Sequence, residues 1–238
     1  MTDTQMLDQR IYRLSFWTAI ILILSGVLSV FFPLDAPETT FADRMIWFSK
    51  NVDAFAMGWV IQMIAMLTLS GVLAGTAWQT GKVAPISSAL AGIALLFATM
   101  AFLIPKFIAI WAIPQMVAAS STITVHTPVA EQLFQILNPS LSFSLFTSFD
   151  YLGFWMYSIY GLLAACPLFK LSLAAKISAV GLGLFGVLYH LLVLGVVFGA
   201  VATSDVTPYA ESISILLLIP VVGMAFHFRS QLKKKFHA

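Results

Sequence analysis

The sequence predicts an all-α integral membrane protein: a bundle of six transmembrane helices with a small extracytoplasmic cap. Of its 238 residues, 60% are hydrophobic and 9% are charged, whereas soluble domains carry about 25% charged residues. Six apolar stretches are long enough to cross a hydrocarbon core about 30 Å thick. Backbone polar groups find no water in lipid, so such stretches must be helices. The predicted spans, forming a single domain, are about 14–34, 54–78, 84–105, 149–169, 176–202 and 211–228.

The distribution of charge predicts the orientation of these spans. With the N-terminus in the cytoplasm, the inner side carries Arg10, Arg13, Lys82, Lys170, Lys176, Arg229, Lys233, Lys234 and Lys235, and the outer side carries Arg44, Lys50 and Lys106. Acidic residues collect at the outer side: Asp35, Glu38, Asp43, Asp53, Glu131, Asp150, Asp205 and Glu211. Because cytoplasmic loops are usually enriched in lysine and arginine, we expect an inner-membrane protein with both termini cytoplasmic.

The first three spans are bounded by prolines and short polar segments. A polar lead-in precedes span one, which ends at Pro33 because proline stops a helix. The outer loop 35–53 contains Trp47, an expected anchor in the headgroup layer. Pro85 opens span three, which ends near Pro105. Lys106 then lies about 30 Å from Pro85 at the helical rise, and we expect it to extend into water at the outer interface.

The second half of the chain repeats the hairpin plan. The outer loop 115–148 contains His126 and a segment, Pro128–Asn138, whose spacing suits a short helix on the outer leaflet or over the bundle. Spans four and five are joined by the basic turn 170–176. We expect Pro220 to kink span six, because a mid-span proline removes one hydrogen bond.

His190 is the most suggestive candidate residue. It lies near mid-membrane, where ionisable groups usually face a partner or a wet cavity. One alternative is a neutral imidazole bonded across helices to Tyr157, Tyr160 or Ser158. A second is a role as a ligand or in proton transfer, and a third is exposure of the imidazole to lipid.

Two acids open predicted spans from the outer side. Asp53 and Asp150 would cap free N–H groups in a first helical turn. Alternatively, they converge with Gln62, Asp205 and Glu211 on an outward-facing vestibule suited to cations or basic solutes.

Small residues and aromatics suggest packing and binding surfaces. Gly71-xxx-Gly75 and Gly195-xxx-Gly199 have the spacing of close helix packing in lipid, within the bundle or across a homodimer. Aromatics between Phe143 and Tyr160 form an expected outer belt, and some, with Tyr157 and Tyr160, could line a pocket for an apolar ligand. Membrane lipids are the expected partners. Nucleic-acid binding would need a basic patch with exposed aromatics, which the sequence lacks.

No cofactor or metal is expected from the pattern of ligands. Haem held by two histidines requires facing residues at one depth, and His227 lies about 15 Å or more below His190. The sequence contains no HxxxH, ExxH or CxxCH spacing, and no phosphate loop or nucleophile motif.

Three segments carry a family resemblance: Phe149–Phe154, Ser158–Leu163 and Lys176–Gly186. Their aromatic–glycine opening, short basic turn and glycine-spaced helix resemble the DUF4386-like group of uncharacterised bacterial membrane proteins. The resemblance covers about forty residues, and it implies no functional residue because that group has no established activity.

The sequence therefore predicts a non-enzymatic protein that binds an apolar or amphipathic ligand, or a partner membrane protein, through the cap and outer half of the bundle. The alternative is a small-solute or ion transporter that uses His190 and the outer acids, with Pro220 as a hinge. A third class is a membrane redox subunit.

Overall fold

The computed structural model describes residues 3–37, 40–122 and 128–234, with eight α-helices and two short 3₁₀ segments. The helices are α1 (Asp3–Ser29), α2 (Phe41–Gly81), α3 (Pro85–Thr122), α4 (Pro128–Ile136), α5 (Leu145–Leu168), α6 (Leu173–Val197), α7 (Val206–Ser214) and α8 (Leu218–Lys234). The 3₁₀ segments are Thr203–Asp205 and Ile215–Leu217. Six helical segments are long and apolar enough to cross a membrane, the sixth running from Thr203 to Lys233. The predicted all-α fold is therefore confirmed.

The six long segments form a closed ring. Helix α1 packs on α2, α2 on α3, α3 on α5, α5 on α6, α6 on α8, and α8 returns to α1. Helices α2 and α5 also meet inside the ring. Tyr12 of α1 stacks on Phe228 of α8, which places both chain ends at one end of the bundle, here called the termini end. The opposite end is called the cap end.

Two helices are much longer than a bilayer requires. Helix α2 has 41 residues and α3 has 38, lengths of about 60 Å at the helical rise. The predicted loop 35–53 is therefore wrong for most of its length, since α2 starts at Phe41. Likewise, α3 does not end near Pro105; it continues through Pro105 and Pro114.

The cap is built from these extensions together with α4. A separate hydrophobic core holds it together, with Phe48 and Phe55 of α2, Ile113 of α3, Phe134 of α4 and Phe146 of α5. Trp47, predicted as a headgroup anchor, is half-buried and packs against this core. The segments predicted to form the cap, 35–53 and 115–148, thus do pack on each other. His126 and Glu38 lie outside the described residues.

Helix starts are capped by hydroxyls rather than by the predicted acids. The Thr40, Ser144 and Ser172 side chains accept hydrogen bonds from the first turns of α2, α5 and α6. Asp53 lies twelve residues into α2 and Asp150 five residues into α5, so the capping predictions for both acids are wrong.

The two glycine motifs have different roles. Cβ atoms at Gly71 and Gly75 would collide with Thr18 and Ser15 of α1, so this pair allows close packing inside the bundle. Gly199 has a φ of 69° and ends α6, with the Ala200 N–H donating to Gly195 O and the Gly199 N–H donating to Val196 O. That pattern is a Schellman C-cap, so the prediction that Gly195 and Gly199 pack against a helix within the bundle is wrong, and the homodimer alternative stays a prediction.

The sixth span is interrupted before its proline. The 3₁₀ segment Ile215–Leu217 separates α7 from α8, and Pro220 follows in the first turn of α8. Proline lacks the N–H that would bond four residues back, which is why regular α-helix breaks at this point. At the expected kink, the structure thus has an interruption of the regular α-helix.

Candidate functional site: a buried ion pair and an apolar groove

The most unusual feature is an ion pair between Lys106 of α3 and Asp150 of α5. The Lys106 side chain is only 5% exposed, and that of Asp150 is 25% exposed. The expectation that Lys106 reaches water is therefore wrong. Its level is as expected, because Lys106 lies 21 residues after Pro85, about 32 Å along the helix. The side chain points into the bundle instead of outward.

Aromatic rings surround the Lys106 ammonium. Its Nζ lies 5.7 Å from the ring centre of Trp59, 5.1 Å from Phe102 and 5.9 Å from Phe146. Rings within about 6 Å attract a cation through their negative faces. Phe102 belongs to the core of the bundle and the other two rings to the core of the cap, so the ion pair lies at the boundary between the two cores.

A sequence signal for the burial of Lys106 existed. Ala98, Phe102, Ala109 and Ile113 are all buried, and Lys106 falls between them at spacings of four, four, three and four residues. Such spacing defines one face of a helix. The continuous apolar character of α3 obscured that face, because its lipid-facing side is equally apolar.

Two predicted ligand-binding tyrosines lie in the bundle core. Tyr157 and Tyr160 are fully buried. The Tyr157 hydroxyl lies 2.8 Å from Ser70 Oγ, and Tyr160 donates to the carbonyl oxygen of Leu73. Both tyrosines tie α5 to α2.

His190 is half-buried on α6. Its Nδ1 lies 2.8 Å from the carbonyl oxygen of Gly186 and 3.1 Å from Ser158 Oγ. Because a carbonyl oxygen only accepts, Nδ1 carries the hydrogen in this arrangement. Of the hydroxyls predicted as its partners, His190 contacts Ser158. The structure does not bring His190 to Asp150, which pairs with Lys106.

The remaining predicted acids do not converge on one vestibule. Asp53 is exposed on α2, Asp205 lies in the first 3₁₀ segment, and Glu211 is exposed on α7. Among the described residues, no three His, Cys, Asp or Glu side chains lie together as a metal site would require.

An apolar groove of about 610 Å³, here called the α1–α8 groove, lies between α1 and the sixth span. One wall is formed by residues between Leu22 and Phe31, from α1 and the turn that follows it, and the other by residues between Ser214 and Val221. Met66 and Leu69 of α2 and Phe154 of α5 form its floor. The stretch from Leu22 to Phe31 lies about 15–28 Å beyond Tyr12 at the helical rise, in the cap-side half of the bundle.

The groove follows from how α1 meets its neighbours. Near the termini end, α1 lies close to α2 across Gly71 and Gly75 and stacks on α8 at Tyr12. Near the cap end, a 3₁₀ segment interrupts the sixth span before Pro220, and Leu217, Leu218 and Val221 beside this break line the groove. A Cβ at Gly26 would meet nothing within 4 Å, so α1 leaves open space there.

Gln62 and Asp150 lie one turn above the floor of the groove. Gln62 precedes Met66 by four residues on α2, and Asp150 precedes Phe154 by four on α5. Residues four apart share a helix face, so both polar residues lie one turn nearer the cap than these floor residues, although neither lines the groove. Gln62 is half-buried.

Comparison with known proteins gives no relative. No protein-family model matches the chain, and neither a curated protein nor a solved structure shows significant similarity to it. The resemblance to the DUF4386-like group stays a prediction.

Proposed function

We propose that this protein is a multi-pass membrane protein that binds the apolar chain of an amphipathic molecule in the α1–α8 groove. The groove itself is the observation that carries the proposal. Its volume of about 610 Å³ falls in the range of small-molecule sites, about 300–1,000 Å³. Of the thirteen residues that line it, Ser214 alone has a polar side chain.

The environment of the groove favours an acyl or isoprenoid chain as its occupant. The walls belong to helices apolar enough to span a membrane, so the groove opens towards hydrocarbon. An empty groove would lose dispersion contacts along its walls, and a flexible chain restores them. Apolar helix surfaces gain little hydrophobic energy over lipid tails, so selectivity comes from shape and from the headgroup.

The headgroup of the ligand would lie at the level of Gln62 and Asp150. Both residues sit one turn from floor residues, towards the cap. The Gln62 amide offers a donor and an acceptor. This arrangement supports an amphipathic ligand rather than a pure hydrocarbon.

The proposed orientation has the termini in the cytoplasm. The termini end carries Arg10, Arg13, Lys82, Lys170 and Lys176, and cytoplasmic loops are enriched in such residues. In this orientation the groove lies in the outer leaflet of a bacterial inner membrane, and the cap lies on the extracytoplasmic side.

Photo-crosslinking tests the proposal. The full chain is reconstituted in liposomes with a phospholipid that carries a diazirine midway along one acyl chain, and labelled peptides are mapped by mass spectrometry. We expect label to concentrate on 22–31 and 214–221. Gly26→Trp fills open space and should abolish this concentration. Uniform labelling of all exposed helix faces, unchanged by the substitution, would overturn the proposal.

Gly92→Trp is the matched control. A Cβ at Gly92 also meets nothing within 4 Å, but Gly92 lies on α3 away from the groove. It should leave the groove labelling as in the wild type.

A second candidate function is transport of a small solute or ion, favoured by the Lys106–Asp150 pair. Paired charges inside a membrane helix bundle commonly mark a substrate or ion pathway. Flux of candidate cations into liposomes would be compared between wild type, Asp150→Asn and His190→Ala. Flux lost in Asp150→Asn would support transport, and zero flux in all three would remove it.

A further inference from the structure

A second cavity lies at the termini end, between α2 and α3. This α2–α3 cleft has a volume of about 570 Å³. Small residues open it: Ala74, Ala77 and Gly81 on α2, and Ser88 and Gly92 on α3. Leu95 closes its deep end. From Ser88 to Leu95 the cleft extends about 10 Å along α3, so it leads from the basic end of the bundle into the apolar region.

Lys82 lines the mouth of this cleft, in the turn between the two helices. Its Nζ donates to Asp8 Oδ1 at 2.6 Å and to the Tyr12 hydroxyl at 3.0 Å. Both acceptors belong to α1 and neither lines the cleft. An ammonium group has three N–H donors. Among the described residues, Asp8 and Tyr12 occupy two of them, which leaves one for a ligand in the cleft.

The charge of Lys82 is secure at neutral pH. Burial opposes the charged form, but the hydrogen bonds to Asp8 and Tyr12 outweigh it and raise the pKa of Lys82 above its usual 10.5. Its side chain is 39% exposed, so a ligand can reach it.

Trp78 completes the mouth. Its indole N–H donates to Asp8 Oδ1 at 2.8 Å, and its half-exposed ring lines the cleft. Tryptophan is favoured at the boundary between headgroups and hydrocarbon. The cleft therefore has a cation and an interfacial aromatic at its mouth, with an apolar channel beneath them.

We propose that the α2–α3 cleft binds an anionic phospholipid, with Lys82 donating a hydrogen bond to a phosphate oxygen and one acyl chain lying along Gly92 and Leu95. The proposal is independent of the α1–α8 groove, which lies at the other end of the bundle and lacks a charged lining residue. Lys82 would share its charge between Asp8 and the phosphate.

The test measures lipid retained by the purified full chain in detergent, by native mass spectrometry, with phosphatidylglycerol, phosphatidylcholine or sodium phosphate added. Both lipids carry the phosphate that Lys82 would bind, but phosphatidylcholine also carries a quaternary ammonium, which the Lys82 charge repels. We therefore expect phosphatidylglycerol to bind about tenfold more tightly than phosphatidylcholine. Lys82→Gln should remove this preference, and Lys82→Arg should retain it. Gly92→Trp should prevent binding by filling the cleft.

Three controls make the outcome decisive. Lys170→Gln, in the other basic turn, should bind phosphatidylglycerol as the wild type does, and so should Gly26→Trp. Asp8→Asn removes the competing carboxylate and should increase the binding of phosphatidylglycerol. The proposal is overturned if Lys82→Gln keeps the lipid preference, if Lys170→Gln loses it equally, or if sodium phosphate alone displaces the lipid. Loss of groove labelling in Gly26→Trp with intact anionic-lipid binding would separate the two sites.

Discussion

The two ends of the bundle each carry a lysine–aspartate ion pair, and the two pairs differ in the elements they join and in the exposure of the lysine. At the cap end, Lys106 and Asp150 join α3 to α5 beneath three aromatic rings. At the termini end, Lys82 and Asp8 join the α2–α3 turn to α1, and the lysine side chain is 39% exposed compared with 5% for Lys106. The burial of the lysine, and not the pairing itself, distinguishes the two pairs.

The difference suggests different roles. A buried charge left without its partner is strongly destabilising, whereas an exposed pair contributes little. Lys106 and Asp150 must therefore stay paired, or exchange partners only with a ligand that replaces the lost charge. Lys82 can share its ammonium with a phosphate at small cost. We therefore expect the Lys106–Asp150 pair to stay closed, and we expect Lys82 to be able to exchange its hydrogen-bond partners.

The largest expected effect is on stability. Lys106→Met leaves Asp150 without its counter-ion, and the free energy of unfolding should fall by about 3–5 kcal/mol. Lys82→Met should lower it by about 1 kcal/mol or less. Unfolding by SDS titration of the protein in mixed micelles measures both.

The double variant Lys106→Met, Asp150→Leu is the control for this prediction. Replacing both partners by apolar residues is often neutral, so most of the lost stability should return. Equal effects of Lys106→Met and Lys82→Met would contradict the contrast between the two pairs.

An intermediate effect is expected from two glycines: Gly75 of α2, which faces α1, and Gly26, which belongs to α1. At the termini end, Gly75→Val places side-chain atoms where Ser15 lies, and overpacking should lower the free energy of unfolding by about 1–3 kcal/mol. At the cap end, Gly26→Val enters open space and should not lower it. The same SDS titration measures both variants. If Gly26→Val lowered the free energy of unfolding as much as Gly75→Val does, side chains would have to fill the space beside Gly26, and the groove would not exist.

The smallest effect concerns pH and the exposed pair. Because the pKa of Lys82 is raised above 10.5, the charged form stabilises the folded state, and this contribution is present at neutral pH. It should be lost as the pH rises above 10.5 through the folded-state pKa. The stability difference between wild type and Lys82→Met should therefore shrink over that range. A difference that grew with pH would contradict the assigned partners.

The six spans could be predicted because apolar length is a local property of the sequence. The two outer segments predicted to form the cap do pack on each other. The full length of α3 was missed because Pro105 was taken as its end, and the start of α2 was missed because residues 35–53 were assigned to an outer loop with an anchor in the headgroup layer. Pro105 lies inside α3, and proline is tolerated in membrane helices where neighbouring groups satisfy the freed carbonyl.

The site was harder to predict because it depends on rotation and on tertiary contacts. Asp150 and Gln62 were singled out, but the partner of Asp150 was expected in water. The direction of the Lys106 side chain depends on which face of α3 meets α5, and apolar residues on both faces leave that choice open to sequence. The α1–α8 groove lies between two segments that are far apart in the chain, and no local pattern encodes how such segments pack.

A crystal structure of the protein with phospholipid brominated midway along its acyl chains would test the α1–α8 groove most directly. Bromine can be located by its anomalous scattering. The proposed function predicts bromine peaks beside Gly26 and Val30, between α1 and α8. Bromine peaks on other helix faces only, with protein side chains filling the space beside Gly26, would contradict it.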